Sequence, residues 1–546
     1  MITRVIPRPV AVTLAAMRRR TEARGHGRTA WRRVLAVAVP LCACASVPAA
    51  AQCPDGTPPP CSARPFRAAP PAPNSVAVLY FENVTRDSND TYLADGLTEE
   101  ITGRLSAIER LSVKSHHAVR RYRGTDLEDL APVARALNVS YLVTGSIRRS
   151  GARLRVSAEL VRAVGGTEVW GQQFDQAGTD VFAIQEAVAR EVATGIIGRL
   201  LPNERTAVEA RPTRDPAAYD HLLRGNFYLA QRTQPTVTRA IEEYETAARL
   251  DPSYADALAR VPYAYALFLD WGWDYPGLPP DSLLQRGLRA SDRALQLDSL
   301  SSDAWMARGY LAVFANPRDF AGMQEAFGRA IALNPRNAEA WHQLGSKLQF
   351  LGDDSGAVAA DRQALTLDPA RVITLRNLGW LYRDERRYDE ARRWIDSAVA
   401  VDPTAYYVHQ YRAHVLLDAG DAAGARASAL MAERFAPLGG TDRNNVDALL
   451  VAVQAATGDS AEARSGAERL ARIVAGTAAL AVYPASSVAS ALLSVGERDR
   501  CLDLLERLRP QGALLWDRLR DPIWDPVRAD PRFVQLVAES RPPGAP

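Results

Sequence analysis

Four of the chain's five cysteines lie in one short stretch, LCACASVPAAAQCPDGTPPPC. Thiols at such spacings bind metals, carry lipids or form disulfides. Cys42 and Cys44 fall within an apolar run, whereas Cys53 and Cys61 flank the turn-forming segment PDGTPPP. Two thiols alone do not complete a tetrahedral zinc shell, so for Cys53 and Cys61 we predict a small disulfide. We predict no metal site and no cofactor.

A second set of candidate residues recurs at intervals of three or four between positions 339 and 417. Such residues share one face of an α-helix, and arginine and aromatic side chains are typical anchors of interfaces. The candidate partner-binding groove contains His342, Arg376, Asn377, Trp380, Arg383, Tyr407 and His414. Arg376, Asn377 and Arg383 could fork a carboxylate of a bound peptide. The alternative is an ordinary solvated polar face.

Two further groups carry weaker signals. His116 and His117 follow a predicted strand, and an ordinary structural role is favoured over metal binding. Trp271, Trp273 and Tyr275 lie in the segment DWGWDYPGLPP, which we interpret as an aromatic lid folded over adjacent helices or as an exposed contact patch. The sequence contains no GxSxG, P-loop or HExxH motif. We therefore expect a protein without enzymatic activity.

The amino-terminal residues have the layout of an export signal. Residues 1–51 contain nine arginines and one glutamate, and an apolar run of about 14 residues precedes the small residues PAAAQ. Ala49 and Ala51 fit an A-x-A site, so we expect cleavage after Ala51 and export to the periplasm or cell envelope. The alternatives are an uncleaved anchor that faces the periplasm, although the run is short for a span of about 20 residues, and lipid attachment at Cys44.

The charge of the chain changes sign once this leader is set aside. The whole sequence has a formal net charge of +3, and residues 52–546 carry −5. A nucleic-acid-binding protein needs a clustered basic surface. We therefore predict a protein or peptide partner and no nucleic acid.

Two kinds of element must position the candidate residues. Residues 75–200 combine short strands with helices, and Leu154, Val156, Ala158 and Leu160 alternate with polar residues as in a half-buried antiparallel hairpin. From residue 215 a repeat takes over, with helix ends at Pro335, Pro369, Pro403 and Pro437 spaced by 34 residues. This period is typical of tetratricopeptide repeats, each of which is two antiparallel helices.

The segments DGLTEE, GSIRRSG and FAIQ resemble the TolB amino-terminal-like domain, which is related to the FlgO-like domain of bacterial envelope proteins. The resemblance covers about residues 75–200. It implies a pairing with tetratricopeptide repeats, and the tail DPVRADPRFVQLV is similar to the family's usual ending. In many relatives an adenylate cyclase, protein kinase or winged-helix domain precedes this unit. An export signal stands in that place here, so the resemblance implies none of these activities and supplies no catalytic residues.

Together these patterns predict a multidomain chain, with a small α/β (α+β) domain that has a mixed sheet, followed by an all-α tetratricopeptide-repeat superhelix. The predicted segments are a signal peptide (1–51), a Pro-rich linker with the cysteine loop (52–74), the TolB-like domain (75–200), a linker (201–214), the repeats (215–437), and further helix pairs with a cap (438–546). We expect an exported scaffold that docks a protein or peptide partner in the cell envelope. The alternative is a sensory module that binds a small ligand in the α/β domain and relays it through the repeats.

Overall fold

A computed structural model describes most of the chain beyond the leader. The described residues are 70–85, 90–125, 129–151, 153–177, 181–316, 321–476 and 481–542, and they belong to one compact unit, residues 68–546. The predicted signal peptide, Cys44 and the loop between Cys53 and Cys61 lie outside them. Within the described ranges, no helix combines the length and the apolar character needed to cross a bilayer.

The first part of this unit is a six-stranded mixed sheet. Its strands are β1 (Ser75–Val78), β2 (Glu82–Asn83), β3 (Ser112–Val113), β4 (Tyr141–Ser150), β5 (Arg153–Arg162) and β6 (Glu168–Ala177). The order is β3-β1-β4-β5-β6, with β2 beside β4. β1 pairs in parallel with β3 and β4, while β4, β5 and β6 are antiparallel. The predicted mixed sheet is confirmed.

Helices cover both faces of the sheet. They are α1 (Thr91–Ser106), α2 (His116–Val119), α3 (Ala131–Leu137) and α4 (Phe182–Ile197). Val76 and Val78 of β1 face the core that contains α1 and α4. Their neighbours Ala77 and Leu79 pack against α2 and α3 on the other side. Because successive residues of a strand point to opposite faces, the wholly apolar β1 is explained by burial on both sides.

The predicted linker 201–214 is partly helical, which differs from our expectation. It contains α5 (Pro202–Glu209). The Glu204 carboxylate accepts hydrogen bonds from Nε of Arg110 (2.7 Å) and from the backbone N–H of Leu201 (2.7 Å). The bond from Arg110 is the main reason that the pKa of Glu204 is lowered, to about 2. These contacts tie the segment to the α/β part.

The rest of the unit is a series of eight helix pairs followed by a short cap. The pairs are α6 (Pro216–Ala230) and α7 (Gln234–Leu250), α8 (Ala255–Asp270) and α9 (Pro280–Leu297), α10 (Ser302–Ala315) and α11 (Ala321–Leu333), α12 (Ala338–Phe350) and α13 (Asp354–Leu367), α14 (Val372–Asp384) and α15 (Tyr388–Val401), α16 (Tyr406–Asp418) and α17 (Ala422–Phe435), α18 (Gly440–Thr457) and α19 (Ser460–Ala475), and α20 (Val482–Ser494) and α21 (Arg498–Arg507). The cap contains α22 (Ala513–Leu519), a 3₁₀ turn (Pro522–Val527) and α23 (Pro531–Ser540).

Small residues let the two helices of a pair cross closely. A Cβ atom added at Gly345 would lie 3.1 Å from the carbonyl oxygen of Ala357, and one at Gly379 would lie 3.2 Å from that of Ala391. Cys501 occupies the position that is alanine in other pairs and is completely buried. The close crossing explains why the sequence repeats small residues at this position.

The α/β part and the repeats are packed against each other through a shared apolar core and through polar contacts farther along the chain. One apolar core is continuous from the sheet and α1 to Tyr219 of α6 and Phe268 of α8. Farther along the chain, Oγ of Ser115 donates to Oδ1 of Asp368 (2.5 Å), and Nδ1 of His117 lies 2.8 Å from the other carboxylate oxygen. Asp368 belongs to the LDP sequence that ends a repeat, so a repeat end serves as a docking point for the α/β part.

Candidate binding site

The first helices of five successive pairs surround a cavity of about 480 Å³, which we call the inner cavity. Its lining comes mainly from α12, α14, α16, α18 and α20 and from the connection between α8 and α9. The helices α9, α10 and α19 and the cap helix α22 supply further parts of the walls. Aromatic rings, amides and charged groups share this lining. The arrangement matches the usual composition of ligand sites, in which apolar walls carry a few convergent polar groups.

Four of the seven predicted groove residues line the inner cavity, namely Arg376, Asn377, Trp380 and Tyr407. The spacing argument also placed Ser346, Gln349 and Gln410 on this face, and all three are in the lining. His342, Arg383 and His414 are not part of it.

The two predicted histidines outside the cavity are packing residues. Nδ1 of His342 lies 3.1 Å from Oγ1 of Thr374 and 3.3 Å from Oδ1 of Asp361. Burial lowers the pKa of His342 well below its usual range, and it lowers the pKa of His414 to about 3. His342 thus contacts α13 and α14, and the ring of His414 meets that of Trp380 on α14 edge-on at 5.8 Å.

Arg383 has a different environment from the one we expected. Its side chain is fully buried, and it donates to both carboxylate oxygens of Asp521 in the cap (2.8 and 2.7 Å) and to Asp418 of α16 (2.5 Å). Its guanidinium also lies 4.0 Å from the ring centroid of Trp380. The carboxylate that Arg383 forks belongs to the chain itself, so this arginine is not available to a partner.

Arg376, in contrast, points its charge toward the cavity from α14. Its Nε donates to Oδ1 of Asn377 (3.1 Å), and its guanidinium lies 4.3 Å from the ring centroid of Tyr411. These two contacts fix the orientation of the guanidinium group. Among the described residues Arg376 makes no ion pair.

The aromatic segment between α8 and α9 forms one wall of the cavity. The indole N–H of Trp273 donates to Oδ1 of Asp442 on α18 (2.8 Å), and Trp271 meets the ring of Tyr407 edge-on at 5.7 Å. Of our two interpretations, the lid describes Trp273, which is 3% exposed. The segment packs on the adjacent α8, where the ring of Phe268 lies 5.4 Å from that of Trp273, and it also covers α16 and α18, which lie several pairs farther along the chain.

A glycine makes this approach possible. Gly272 has a φ of +65°, and a Cβ atom there would lie 2.9 Å from atoms of both Ala481 and Pro484. Only glycine fits a left-handed conformation with so little space.

Sequence reasoning missed the groups that come from distant parts of the chain. Asp442 and Asn445 of α18, Tyr483 of α20, and Asp517 and Arg518 of α22 all line the cavity. The available signals were the long 47-residue gap that contains the two tryptophans and the second-helix openings GDSAEA (458–463) and GERDRC (496–501). Neither signal indicates which distant helices meet.

Comparison with known protein families supports the prediction of tetratricopeptide repeats. Residues 376–404 match the family model of the tetratricopeptide repeat. Among solved structures, the chain is similar to pilF of Pseudomonas aeruginosa, with 18% identity and a TM-score of 0.32 over 41% of this chain and 95% of the other. It is also similar to yeast Tom70, with 17% identity and a TM-score of 0.37 over 60% of this chain and 68% of the other. The family match covers one of the helix pairs, residues 376–404.

A curated relative changes one expectation. Putative adenylate cyclase 3 of Rhizobium meliloti (strain 1021) is 31% identical over 228 residues, which are 42% of this chain and 38% of that protein. The chain therefore spans well under half the length of this relative. Its name contradicts our expectation of a protein without enzymatic activity, and we withdraw that expectation.

Proposed function

We propose that this chain is an exported scaffold that binds a protein or peptide partner in the cell envelope. In this proposal, a TolB amino-terminal-like domain at residues 75–200 is docked onto the repeats, and the partner enters the inner cavity. The export signal, the resemblance of the α/β segments and the tetratricopeptide array support the three parts of the proposal. The leader is removed after Ala51, and the mature chain begins beside the disulfide of Cys53 and Cys61.

The observation that carries the binding proposal is the state of Arg376. It lines the cavity, it is held in place by Asn377 and Tyr411, and it has no carboxylate partner among the described residues. A half-buried cation without a partner is costly unless a ligand or water compensates it. A carboxylate on the partner would form a charge-assisted bond with it.

Site-specific photo-crosslinking tests the partner proposal. A benzoylphenylalanine in place of Tyr407 reports on the inner cavity, and one in place of Leu300, which is 72% exposed in the connection between α9 and α10, serves as the matched control. In cell-envelope extract we expect a discrete adduct only from the cavity position, and we expect Arg376→Gln to weaken it. The same adducts from both positions would show that the partner does not use the cavity.

The mass of the mature protein tests the export proposal. We expect loss of residues 1–51 and of two hydrogen atoms, as one disulfide requires. An intact leader would indicate a membrane anchor instead, and a lipid-sized increase on Cys44 would indicate a lipoprotein. Either result would overturn the cleavage site proposed here.

A second candidate function is nucleotide cyclisation, which only the name of the Rhizobium meliloti relative favours. It is tested by incubating the purified chain with ATP and a divalent cation and measuring cyclic AMP. Product above that of a heat-denatured sample would support it. A rate equal to that of the denatured sample would reject it for this chain.

A further inference from the structure

The inner cavity brings together two buried or half-buried groups of opposite charge that have no ionic partner. They are Arg376 on α14 and Asp442 on α18, and both belong to the lining. Within the described part of the chain neither of them forms an ion pair. The cavity's other arginine, Arg518, differs because it lies 2.8 Å from Asp517. Among the described residues of the lining, Arg376 and Asp442 are therefore the two buried or half-buried charged groups without an ion pair, whereas Asp274 and Asp281, which also lack one, are exposed.

The negative end is built by two residues one turn apart on α18. Asp442 is 3% exposed, and one of its oxygens accepts the indole N–H of Trp273 (2.8 Å). Burial raises the pKa of Asp442, and hydrogen bonds from Trp273, from Tyr406 and from the backbone of Gln234 offset this only in part. Asn445 is also 3% exposed, and its Oδ1 is buried without a hydrogen-bond partner in the described residues. An unsatisfied buried acceptor of this kind costs about 1–3 kcal/mol unless a donor reaches it.

The lining also contains aromatic walls. Trp380 packs against Tyr411 with ring centroids 4.5 Å apart, and Trp271 meets Tyr407 at 5.7 Å. All four rings line the cavity. Its volume of about 480 Å³ falls within the range of about 300–1,000 Å³ that is usual for sites of small molecules. The walls thus suit a compact apolar group carried between two charged ends.

We propose that the inner cavity binds a small zwitterion, namely a free amino acid or a dipeptide with an apolar side chain. Its carboxylate pairs with Arg376, and its ammonium group donates to Asp442 and Asn445. The apolar side chain lies against the rings. Each end of the ligand then supplies the charge or donor that the chain leaves unmatched, and both bonds are charge-assisted.

Calorimetric titration of the full chain tests this proposal with two probes, L-phenylalanine and L-leucyl-L-phenylalanine. Each is also used with an acetylated amine and with an amidated carboxylate. We expect at least one free zwitterion to bind, and each blocked form to bind about tenfold more weakly or worse. Preference for one probe assigns the amino acid or the dipeptide. No heat from either probe at millimolar concentration, or equal binding of the blocked forms, would overturn the proposal.

Two variants should each lose the preference for one free end of the ligand and keep the preference for the other. Loss of folding would remove both preferences together. Arg376→Gln should bind the acid and its amide equally but still reject the acetylated probe. Asp442→Asn should bind the free and acetylated amines equally but still reject the amide, and Asn445→Leu is the substitute if that variant does not fold. Arg392→Gln, on α15 with a side chain that is 53% exposed, is the matched control and should keep both discriminations. Variants that lose both together would refute the assignment of the two ends.

The zwitterion and the proposed protein partner would use the same cavity, but the two proposals can fail separately. Titration uses the purified chain without a partner, whereas crosslinking uses extract from which small molecules have been removed by dialysis. A chain that binds the zwitterion and yields no adduct supports only the ligand. A chain that yields the adduct and gives no heat supports only the partner.

Discussion

The β4–β5 hairpin of the α/β part and the inner side of the repeats bury very different side chains. In the hairpin of β4 and β5, the inward residues are apolar, and the outward ones, such as Arg155, form exposed pairs. In the repeats, Arg383 and Lys347 are completely buried. Nζ of Lys347 lies 2.9 Å from Asp270 and 4.5 Å from the ring centroids of Tyr310 and Phe350. The sheet thus keeps charge in water, whereas the inner side of the repeats encloses it.

This difference shows that buried ion pairs can connect distant helices inside a helical array. A buried charge is tolerated only with well-placed partners, and removing one partner leaves the other uncompensated. Arg383 connects α14, α16 and the cap, which are separated by up to 138 positions in sequence. The stability of the repeats should therefore depend strongly on a few buried ion pairs, whereas the stability of the sheet depends on many apolar contacts.

The largest expected effect is at Arg383. Arg383→Ala leaves the buried Asp418 and Asp521 without their shared cation, so we expect a loss of about 3–5 kcal/mol in the free energy of unfolding. Urea denaturation followed by circular dichroism measures it. A loss below about 1 kcal/mol would show that the ion pairs of Arg383 contribute no more than surface pairs do. The contrast between the two regions would then disappear.

The stability of the sheet should be most sensitive to added side-chain volume. A Cβ atom at Gly145 of β4 would lie 2.2 Å from the ring of Phe81 and 2.4 Å from the carbonyl oxygen of Ser157. Gly145→Ala should therefore cost about 1–3 kcal/mol. The matched change in the repeats is Gly328→Ala on the exposed side of α11, where nothing lies within 4 Å of the added atom. It should stabilise by about 0.5–1 kcal/mol, and a similar loss in both variants would contradict this explanation.

Two buried groups, one in each region, should respond to pH in opposite directions. His414 has an ordinary pKa of 6.5 that burial lowers to about 3 in the folded chain. The unfolded chain therefore binds an extra proton between these values, and stability falls as the pH drops, by at most about 1.4 kcal/mol per pH unit. Glu99 of α1 has its pKa raised by burial from 4.5 to about 7, so its contribution falls as the pH rises through that window.

Denaturation midpoints measured from pH 3 to 7.5 test the expected direction of the stability change for both His414 and Glu99. His414→Gln should flatten the acid side of the profile, and Glu99→Gln should flatten the decline between about pH 4.5 and 7. Profiles that stay parallel to that of the unmodified chain would mean that other groups control the pH dependence.

The smallest expected effect is at the exposed pair in the sheet. Nε of Arg155 lies 2.8 Å from Asp175, and both side chains are about half exposed. Water screens such a pair, so we expect Arg155→Ala to leave the denaturation midpoint unchanged within error. A shift as large as that of Arg383→Ala would show that burial does not distinguish the two regions.

Much of the fold could be predicted because the patterns that indicate it lie within short stretches of the sequence. The alternation of Leu154, Val156, Ala158 and Leu160 predicted the hairpin, and the 34-residue period predicted the helix pairs. Helical spacing also placed Arg376, Trp380 and Tyr407 on a common face, and all three line the inner cavity. The same spacing placed Arg383 there as a free cation, and it could not show that Asp521 already occupies it.

The sequence by itself determined the secondary structure, the mixed sheet and the face of each first helix, because these depend on residues within one turn or one strand of each other. Only the tertiary structure decided which charges are available. Whether an arginine is free or paired depends on carboxylates brought near it by the accumulated rotation of several helix pairs and by the cap. For that reason Arg376 and Asp442 emerge as the unmatched pair only in the folded chain.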